Sequence, residues 1–504
     1  MAEHKLYAEG LRKRIQANGL RGASVLRKRV NLYYFREKRW FFFALAVGAV
    51  MINLPLPDDL SRAGMIVLAM SVTATILFIT EPVPLPTVAL LIIIGQVLLL
   101  DRDSSVVAKS LMNDSVLFIM GSLMLAVAVV KQRLDKRIAW MIVRMTGTRT
   151  WRVCFGVSAV SGVLASFVGE HTVAAMMLPV GITLVTLASN DPGKVRNLAA
   201  AVLFSIAYGA SVAGIATPSG GARNAIMIGY WKEFFYDPTE PESEFFLVGY
   251  LRWMAYAYPI FILQVPLVTV IVISSFRPEI RDLSRAVVKL RAQIGEEGPM
   301  QGSSWLAVVL FGTVLAGWVF LSDTWGMGTI AIFGAALFLV TGLVRWEDVN
   351  SGVNWGVVLL YAAAISLGVE MKGTGAAKWV AENFLTLLEP IGAGQGLGLW
   401  AAVSLLTTGV TNTMSNGAAV AVLGPIVLKL AVVADESPLI IGFVTAISSA
   451  FAYLTVIGTP AATIVYASGY LKTTDFLAVG WKMVMASTII ILAAAAFYWP
   501  LLGV

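Results

Sequence analysis

The sequence predicts an all-α polytopic membrane protein that uses one plan twice, each copy holding a re-entrant helical hairpin and a broken helix, with about eleven transmembrane spans in all. Three observations predict it. The 504 residues are 58% hydrophobic and only 13% charged, with a mean hydropathy of +0.79, a balance outside that of soluble domains. Apolar runs recur along the chain and are separated by short, proline-marked turns. A polar stretch inside one such run, Val168-Gly169-Glu170-His171-Thr172, has a counterpart in the second half.

Composition also excludes several classes. The single cysteine, Cys154, lies in an apolar run, so no disulfide forms within the chain and neither a cysteine metal site nor thiol catalysis has support. The net charge of +7 is concentrated in residues 1–39, which include Arg12-Lys13-Arg14 and Arg27-Lys28-Arg29. Beside a first membrane helix such a tail reads as a cytoplasmic segment facing anionic lipid, with no nucleic-acid partner. It lacks the short apolar core and small-residue cleavage site of a signal peptide.

In chain order, spans are expected near Trp40 to Leu54, Ala63 to Ile79, Leu85 to Leu100 and Val116 to Val130, with Pro55-Leu56-Pro57 and Pro82-Val83-Pro84-Leu85-Pro86 marking turns. Four crossings return the chain to the cytoplasm, where it meets Lys131, Arg133, Lys136, Arg137 and Arg144, as the positive-inside rule requires. Val153 to Val168 and Val173 to Leu187 follow, each short of the roughly 20 residues that span a bilayer. Their outer ends carry Arg149, Arg152, Lys194 and Arg196. That pattern predicts a re-entrant hairpin with its tip at Glu170; the alternative is one long kinked helix with a buried, paired Glu and His. A carboxylic acid and an imidazole at membrane depth mark a functional site by default, and His171 is the only histidine beyond the tail.

Next, Leu198 to Ile215 is expected to break at Ala216-Thr217-Pro218-Ser219-Gly220-Gly221 and to resume from Asn224 to Trp231. The acidic loop Glu233 to Glu244 suits the outer side. Leu247 to Phe276 returns, bent at Pro259 and Pro266, into a basic loop, Arg277 to Gly302, with an amphipathic stretch around Leu283 to Ile294. In the second half Leu306 to Leu321, Thr329 to Val344 and Val353 to Val369 are spans, an odd number. The second hairpin, Gly394 to Val433 with its tip at Thr411 to Gly417, therefore enters from outside. Ile440 to Ile457 breaks at Gly458-Thr459-Pro460 and resumes to Tyr470, and Phe476 to Leu502 closes the chain.

The two halves align without gaps around their tips: Gly169-Glu170-His171-Thr172 through Pro179 lies on Ser415-Asn416-Gly417-Ala418 through Pro425, and Ile215-Ala216-Thr217-Pro218 on Ile457-Gly458-Thr459-Pro460. Polar, Gly/Pro-interrupted segments at matching positions in two halves point to the binding site of a secondary transporter. Opposite entry of the two hairpins makes this an inverted repeat.

These tips, each leading into a small-residue run and a proline and each followed by a Thr-Pro break, resemble the divalent anion/sodium symporter family from about Trp40 onward. The resemblance implies uptake of dicarboxylates, tricarboxylates or sulfate, a homodimer, and an elevator motion of a transport domain against a scaffold. It also implies an organisation into a tail (1–39), scaffold helices of the first repeat (40–130), its hairpin and broken helix (131–232), a crossing helix and cytoplasmic loop (233–304), scaffold helices of the second repeat (305–370), and the second hairpin, broken helix and last span (371–504).

Carried over residue by residue, the resemblance places Na+ among Thr411, Met414, Asn416 and Gly458. The substrate is expected between the two tips and the two Thr-Pro breaks, four polar interruptions of apolar segments, among Glu170, His171, Thr172, Thr217, Pro218, Arg223, Asn224, Ser415, Asn416, Gly417, Thr459 and Pro460. Ser415-Asn416 match the Ser-Asn-Thr signature, with Gly417 in place of Thr. Gly169-Glu170-His171 replaces the first signature and removes a hydroxyl and an amide, which puts one sodium site in the chain and leaves the second open. Arg223, a cation at a helix N-terminus near the midplane, suits an anion; an internal ion pair with Glu170 is the other reading. Glu170 and His171 form a protonatable pair through which H+ could couple to loading, alone or beside Na+. The expected function is secondary active transport of small divalent anions, C4 or C5 dicarboxylates first, across a bacterial-type inner membrane. A cation-independent exchanger and a sulfate or tricarboxylate symporter are the alternatives, with a channel behind them. A lone Glu-His pair gives an enzyme little support.

Overall fold

The computed structural model describes residues 38–132, 147–189, 191, 194–284, 286–288 and 302–503. The basic tail, Arg133, Lys136, Arg137, Arg144 and most of the expected amphipathic stretch before Ile294 lie outside the described residues. What is described is helical, with no strand among the described residues. Among the described residues, ten helices are long and apolar enough to cross a membrane.

The first half runs α1 (Arg39–Asn53), α2 (Arg62–Thr80), α3 (Leu85–Leu99), a short α4 (Ser104–Leu111) and α5 (Asp114–Lys131). Then come α6 (Thr150–Val168), α7 (Glu170–Ala188), α8 (Arg196–Ala213), a 3-10 turn at Pro218–Gly220, α9 (Ala222–Phe235) and α10 (Tyr250–Ser275). The second half repeats the order. It comprises α11 (Gly302–Trp325), α12 (Met327–Val340), a short α13 (Trp346–Gly352), α14 (Trp355–Gly373), an added α15 (Ala376–Leu388), α16 (Gly396–Thr411), α17 (Asn416–Val433), α18 (Pro438–Ser448), α19 (Pro460–Tyr466) and α20 (Thr473–Ala493).

Side-chain caps start many of these helices. Ser61 accepts from Gly64 N at 3.0 Å before α2, and Asn113 accepts from Val116 N at 3.0 Å before α5. In lipid, where water cannot satisfy the first N–H groups of a helix, such caps replace it.

Hydrogen bonds fix which helix ends lie together. Thr150 Oγ1 donates to Ile280 O at 2.6 Å, Asn197 N and Leu198 N donate to Glu279 at 2.8 and 2.9 Å, and Arg196 pairs with Asp475 at 3.1 Å. The open end of the α6–α7 pair and the starts of α8 and α20 therefore share one end of the bundle, rich in Arg149, Arg152, Arg277 and Arg281. At the opposite end Gly396 N donates to Glu436 at 2.6 Å, Trp231 Nε1 to Pro438 O at 2.9 Å and Lys372 Nζ to Glu233 O at 2.6 Å. There the α16–α17 pair opens, among Asp237, Glu240, Glu242 and Glu244. Between the ends the two tips touch: Asn416 Nδ2 donates to Glu170 Oε1 at 3.1 Å.

The α6–α7 pair is thus a hairpin and not one kinked helix. Its whole turn is Gly169 at φ 85°, a conformation that favours glycine. Its arms, however, are not short. Each is 19 residues long, because α6 takes in Thr150-Trp151-Arg152 and α7 begins on Glu170 itself. A second difference concerns the second broken helix. Helix α18 ends at Ser448 and not near Ile457, because side chains of the second tip take up the carbonyls beyond it: Thr411 Oγ1 donates to Ser449 O at 2.7 Å and Asn412 Nδ2 to Phe451 O at 3.1 Å. Residues 449–459 are consequently irregular, and α19 closes at Tyr466. The short helices α4, α13 and α15 were not expected, since none is an uninterrupted apolar run.

An aromatic cluster of Trp231, Trp253, Tyr256, Phe443 and Trp499 joins α9, α10, α18 and the chain's end. The three buried indoles donate to Pro438 O, Ile215 O and Tyr256 O, so large apolar surface is packed with no N–H lost. Close backbone approach does the same for α6 against α8. A Cβ at Gly209 would stand 2.7 Å from Ser158 Cα, the small-residue packing that membrane helices use in place of a hydrophobic drive. Gly209→Ala is expected to destabilise the fold by about 1–3 kcal/mol. Gly312→Ala, with nothing within 4 Å, should change stability by less than about 0.5 kcal/mol. Melting of the two variants in detergent checks the pair.

Candidate functional site

A cavity of about 1080 Å3 runs inward from the basic end to the meeting point of the tips. Its mouth is bordered by Thr80, Glu81, Lys131 and Asp348. Lys131 Nζ donates to Asp348 Oδ1 at 2.6 Å and, with the Arg345 N–H, holds the Asp348 carboxyl below the usual carboxylate range.

At the inner end α7 presents Glu170, 8% exposed, and α9 presents Arg223, 3% exposed. Arg223 Nη1 lies 3.8 Å from Glu170 Oε1, so the charges pair without a hydrogen bond. Nε and Nη2 of Arg223 have no hydrogen-bond partner among the described residues. The guanidinium packs on Gly214, the residue that ends α8, whose missing side chain makes room for it. A cation there meets the carbonyl end of the broken helix, where the macrodipole favours it. Asn224 holds the break together, its Nδ2 donating to Gly214 O at 2.8 Å and Thr217 O at 2.7 Å. Thr217 caps the following 3-10 turn at Gly220 N and donates to Ser166 O on α6.

The second tip is built with neutral groups. Thr411 Oγ1 stands 2.7 Å from Ser449 O and 2.9 Å from Asn416 Oδ1, two acceptors for its single proton, which gathers a hydroxyl, an amide oxygen and a carbonyl in one buried place. Such an all-oxygen set fits Na+ at the carbonyl end of a broken helix. Asn412 secures the irregular segment at two points, donating to Phe451 O at 3.1 Å and accepting from Leu454 N at 2.9 Å, and its Nδ2 also donates to Thr408 O on α16.

Of the residues expected at the site, Glu170, His171, Thr172, Pro218, Arg223, Ser415, Asn416, Gly417, Met414, Gly458 and Pro460 line the cavity. His171 is exposed to it. Thr217, Asn224, Thr459 and Thr411 do not reach it: all four are buried and shape the backbone instead, Thr459 by capping α19 at Ala462 N. Sequence reasoning missed Asn412, beside the expected Thr411, whose adjacency to the tip was the available signal. It also missed Tyr361 on α14, which lines the cavity and for which no motif gave a sign.

Comparison with known proteins finds relatives along nearly the whole chain. The pattern of the sodium:sulfate symporter transmembrane region matches residues 37–504. A sodium-dependent dicarboxylate transporter of Staphylococcus saprophyticus is 25% identical over 495 residues, 91% of this chain and 92% of its own. That of Staphylococcus aureus is 23% identical over 518 residues, 95% and 96% of the two chains. Among solved structures, the Neisseria gonorrhoeae MtrF efflux pump superposes with a TM-score of 0.51 at 12% identity, covering 92% of this chain and 94% of that one. The Alcanivorax borkumensis YdaH transporter gives 0.50 at 14% identity over 76% and 86%. At these identities the two structures speak to the fold alone.

Asn412→Ala removes three hydrogen bonds in a buried place, each contributing about 0.5–1.5 kcal/mol. The expected outcome is a lower melting temperature with proteolysis gained within residues 449–459; a variant as stable and as resistant as the parent would contradict the role given to Asn412.

Proposed function

Because the chain belongs to the sodium:sulfate symporter family, and so is a transporter and not an enzyme, we propose that it carries a small organic dianion, a C4 or C5 dicarboxylate, by an elevator motion. The observation that carries this reading is the contact of two hairpin tips at the inner end of a cavity, with Asn416, Arg223 and the N-terminus of α17 turned to one place. Helix N-termini and guanidinium groups both favour a carboxylate. The names of the staphylococcal relatives point to the same substrate class.

The basic end is the cytoplasmic face by the positive-inside rule, so the cavity is open inward. The hairpins and broken helices then form a transport domain that slides against a scaffold of α1–α5 and α11–α14, in a homodimer within a bacterial inner membrane. Sodium binds at the second tip, where Thr411, Asn416 and Ser449 O supply oxygens. At the first tip Arg223 supplies a fixed positive charge, and the Glu170 carboxylate rests on the Asn416 amide and beside Arg223, the groups an incoming carboxylate needs. Loading therefore opens the Glu170–Arg223 pair. Radiolabelled succinate in proteoliposomes under an imposed sodium gradient tests the reading: uptake should be saturable and show counterflow, and Asn416→Ala should abolish it with the fold intact. Uptake unchanged by that substitution removes the site assignment, and ohmic current in place of counterflow means a channel.

A second reading concerns the driving ion and is favoured by Glu170 and His171 standing together at the cavity's inner end. A carboxylate displaced from its partner by substrate can take up a proton, and an imidazole titrates near neutrality when unperturbed. With an imposed pH gradient and no sodium, proton coupling predicts concentrative uptake that Glu170→Gln removes. If only sodium or counter-substrate drives uptake, Glu170 and Arg223 are a fixed pair and the protein is a sodium-driven carrier or an exchanger.

A further inference from the structure

Tyr361 comes from α14 and stands where the tip itself lacks a side chain. A Cβ at Gly417 would overlap the Tyr361 ring and hydroxyl. The phenol is 8% exposed, borders the cavity, and its hydroxyl stands beside the Ser415 side chain and within range of the charges of Glu170 and Arg223. Ser415 in turn caps α17, accepting from Ala418 N at 3.4 Å. A buried phenol needs a hydrogen-bond partner, and here its hydroxyl lies against the end of α17 that draws an anion. Asn416 Nδ2, at 3.1 Å from the Glu170 carboxylate, already marks how a carboxylate sits at this end.

The helix that carries Tyr361 has other attachments. Gln96 of α3 accepts from Ser366 at 2.9 Å, Ser110 of α4 and Ser366 share a hydrogen bond of 2.6 Å, and Arg102 pairs with Glu370 at 2.9 Å. Helix α14 is therefore tied by polar contacts to α3, to α4 and to the loop between them, none of which carries a tip or a break; its contacts with α9 are hydrogen bonds to single carbonyls, Lys372 Nζ to Glu233 O and Phe234 O and Tyr230 Oη to Ala364 O, which a sliding motion would have to exchange. The contact of Tyr361 with Gly417 is steric, made through a missing side chain, and nothing in it needs to be broken except van der Waals packing and one hydroxyl contact.

From this we infer that Tyr361 is a specificity-determining residue that completes the substrate site only while the cavity faces the basic end. Its hydroxyl donates to the carboxylate held at the N-terminus of α17. When the tips move past α14 the donor stays behind, so the same anion is held less tightly at the opposite face. This rests on the elevator reading proposed above, and it makes affinity unequal on the two sides of one binding site.

The test compares KM for succinate in right-side-out and inside-out membrane vesicles. Tyr361→Phe keeps the ring that fills the space over Gly417 and removes only the donor. It should raise KM about tenfold for succinate presented to the basic face, the worth of a hydrogen bond to a charged group, and leave KM at the acidic face unchanged. Gly417→Ala, whose methyl displaces the ring, should reproduce the one-sided rise, and the double variant should be no worse than the single ones, since both remove one interaction. An unchanged KM at the basic face, an equal rise at both faces, or additive effects in the double variant would overturn the inference. Absence of any succinate transport by the parent protein would instead overturn the proposed function. A parent that transports while Tyr361→Phe behaves identically at both faces removes only the role of the tyrosine.

Discussion

The structure depends on one constraint: a helix broken at membrane depth leaves N–H and C=O groups that water does not reach, and each must be satisfied within the protein. Both breaks meet it in the same way, with a short amide side chain and a threonine. At the first, Asn224 takes up Gly214 O and Thr217 O while Thr217 caps the next turn. At the second, Asn412 and Thr411 reach across from the hairpin to Phe451 O and Ser449 O, and Thr459 caps α19. The second solution binds two elements together. The tip of the α16–α17 hairpin is hydrogen-bonded to the irregular segment through Thr411 and Asn412, so hairpin and broken helix are joined at this point.

A second consequence is that the two tips reach similar ends with different chemistry. The second offers only neutral oxygens, those of Thr411, Asn416 and Ser449 O. The first carries its own charges, Glu170 and Arg223, both nearly buried and only loosely paired at 3.8 Å. Ion pairs at such depth hold together weakly once desolvation is counted, whereas loss of one partner leaves an uncompensated charge and is severely destabilising. A pair that is loose but indispensable suits the proposed reading, in which an incoming carboxylate takes the place of Glu170 without leaving Arg223 alone.

Much of this could be read from the amino acids because the signals are local. Apolar runs set the spans to within a few residues, and Gly169, Thr217-Pro218 and Thr459-Pro460 mark places where a helix cannot simply continue. What escaped was non-local. The length of α18 is decided by side chains on another helix, so its own apolar sequence through Ile457 gave no warning. The arms of the first hairpin looked short because polar residues at both ends join the helices without adding to the apolar run. Tyr361 meets Gly417 only in three dimensions, and a glycine in a motif position does not say what fills its space.

That last case bears on how the two halves differ. Set against the Ser-Asn-Thr signature, Gly417 is a lost side chain at a hydroxyl position. In the folded chain the position is filled by a larger group bearing the same chemical function, delivered from α14. On the proposed elevator reading the replacement is not equivalent, because a hydroxyl on the tip would travel with the bound anion and one on α14 would not. Two sites with the same list of donors in one state thus differ in the other. Substitution at a tip can accordingly alter the balance between the two faces of a carrier while leaving the contacts of a single state almost the same.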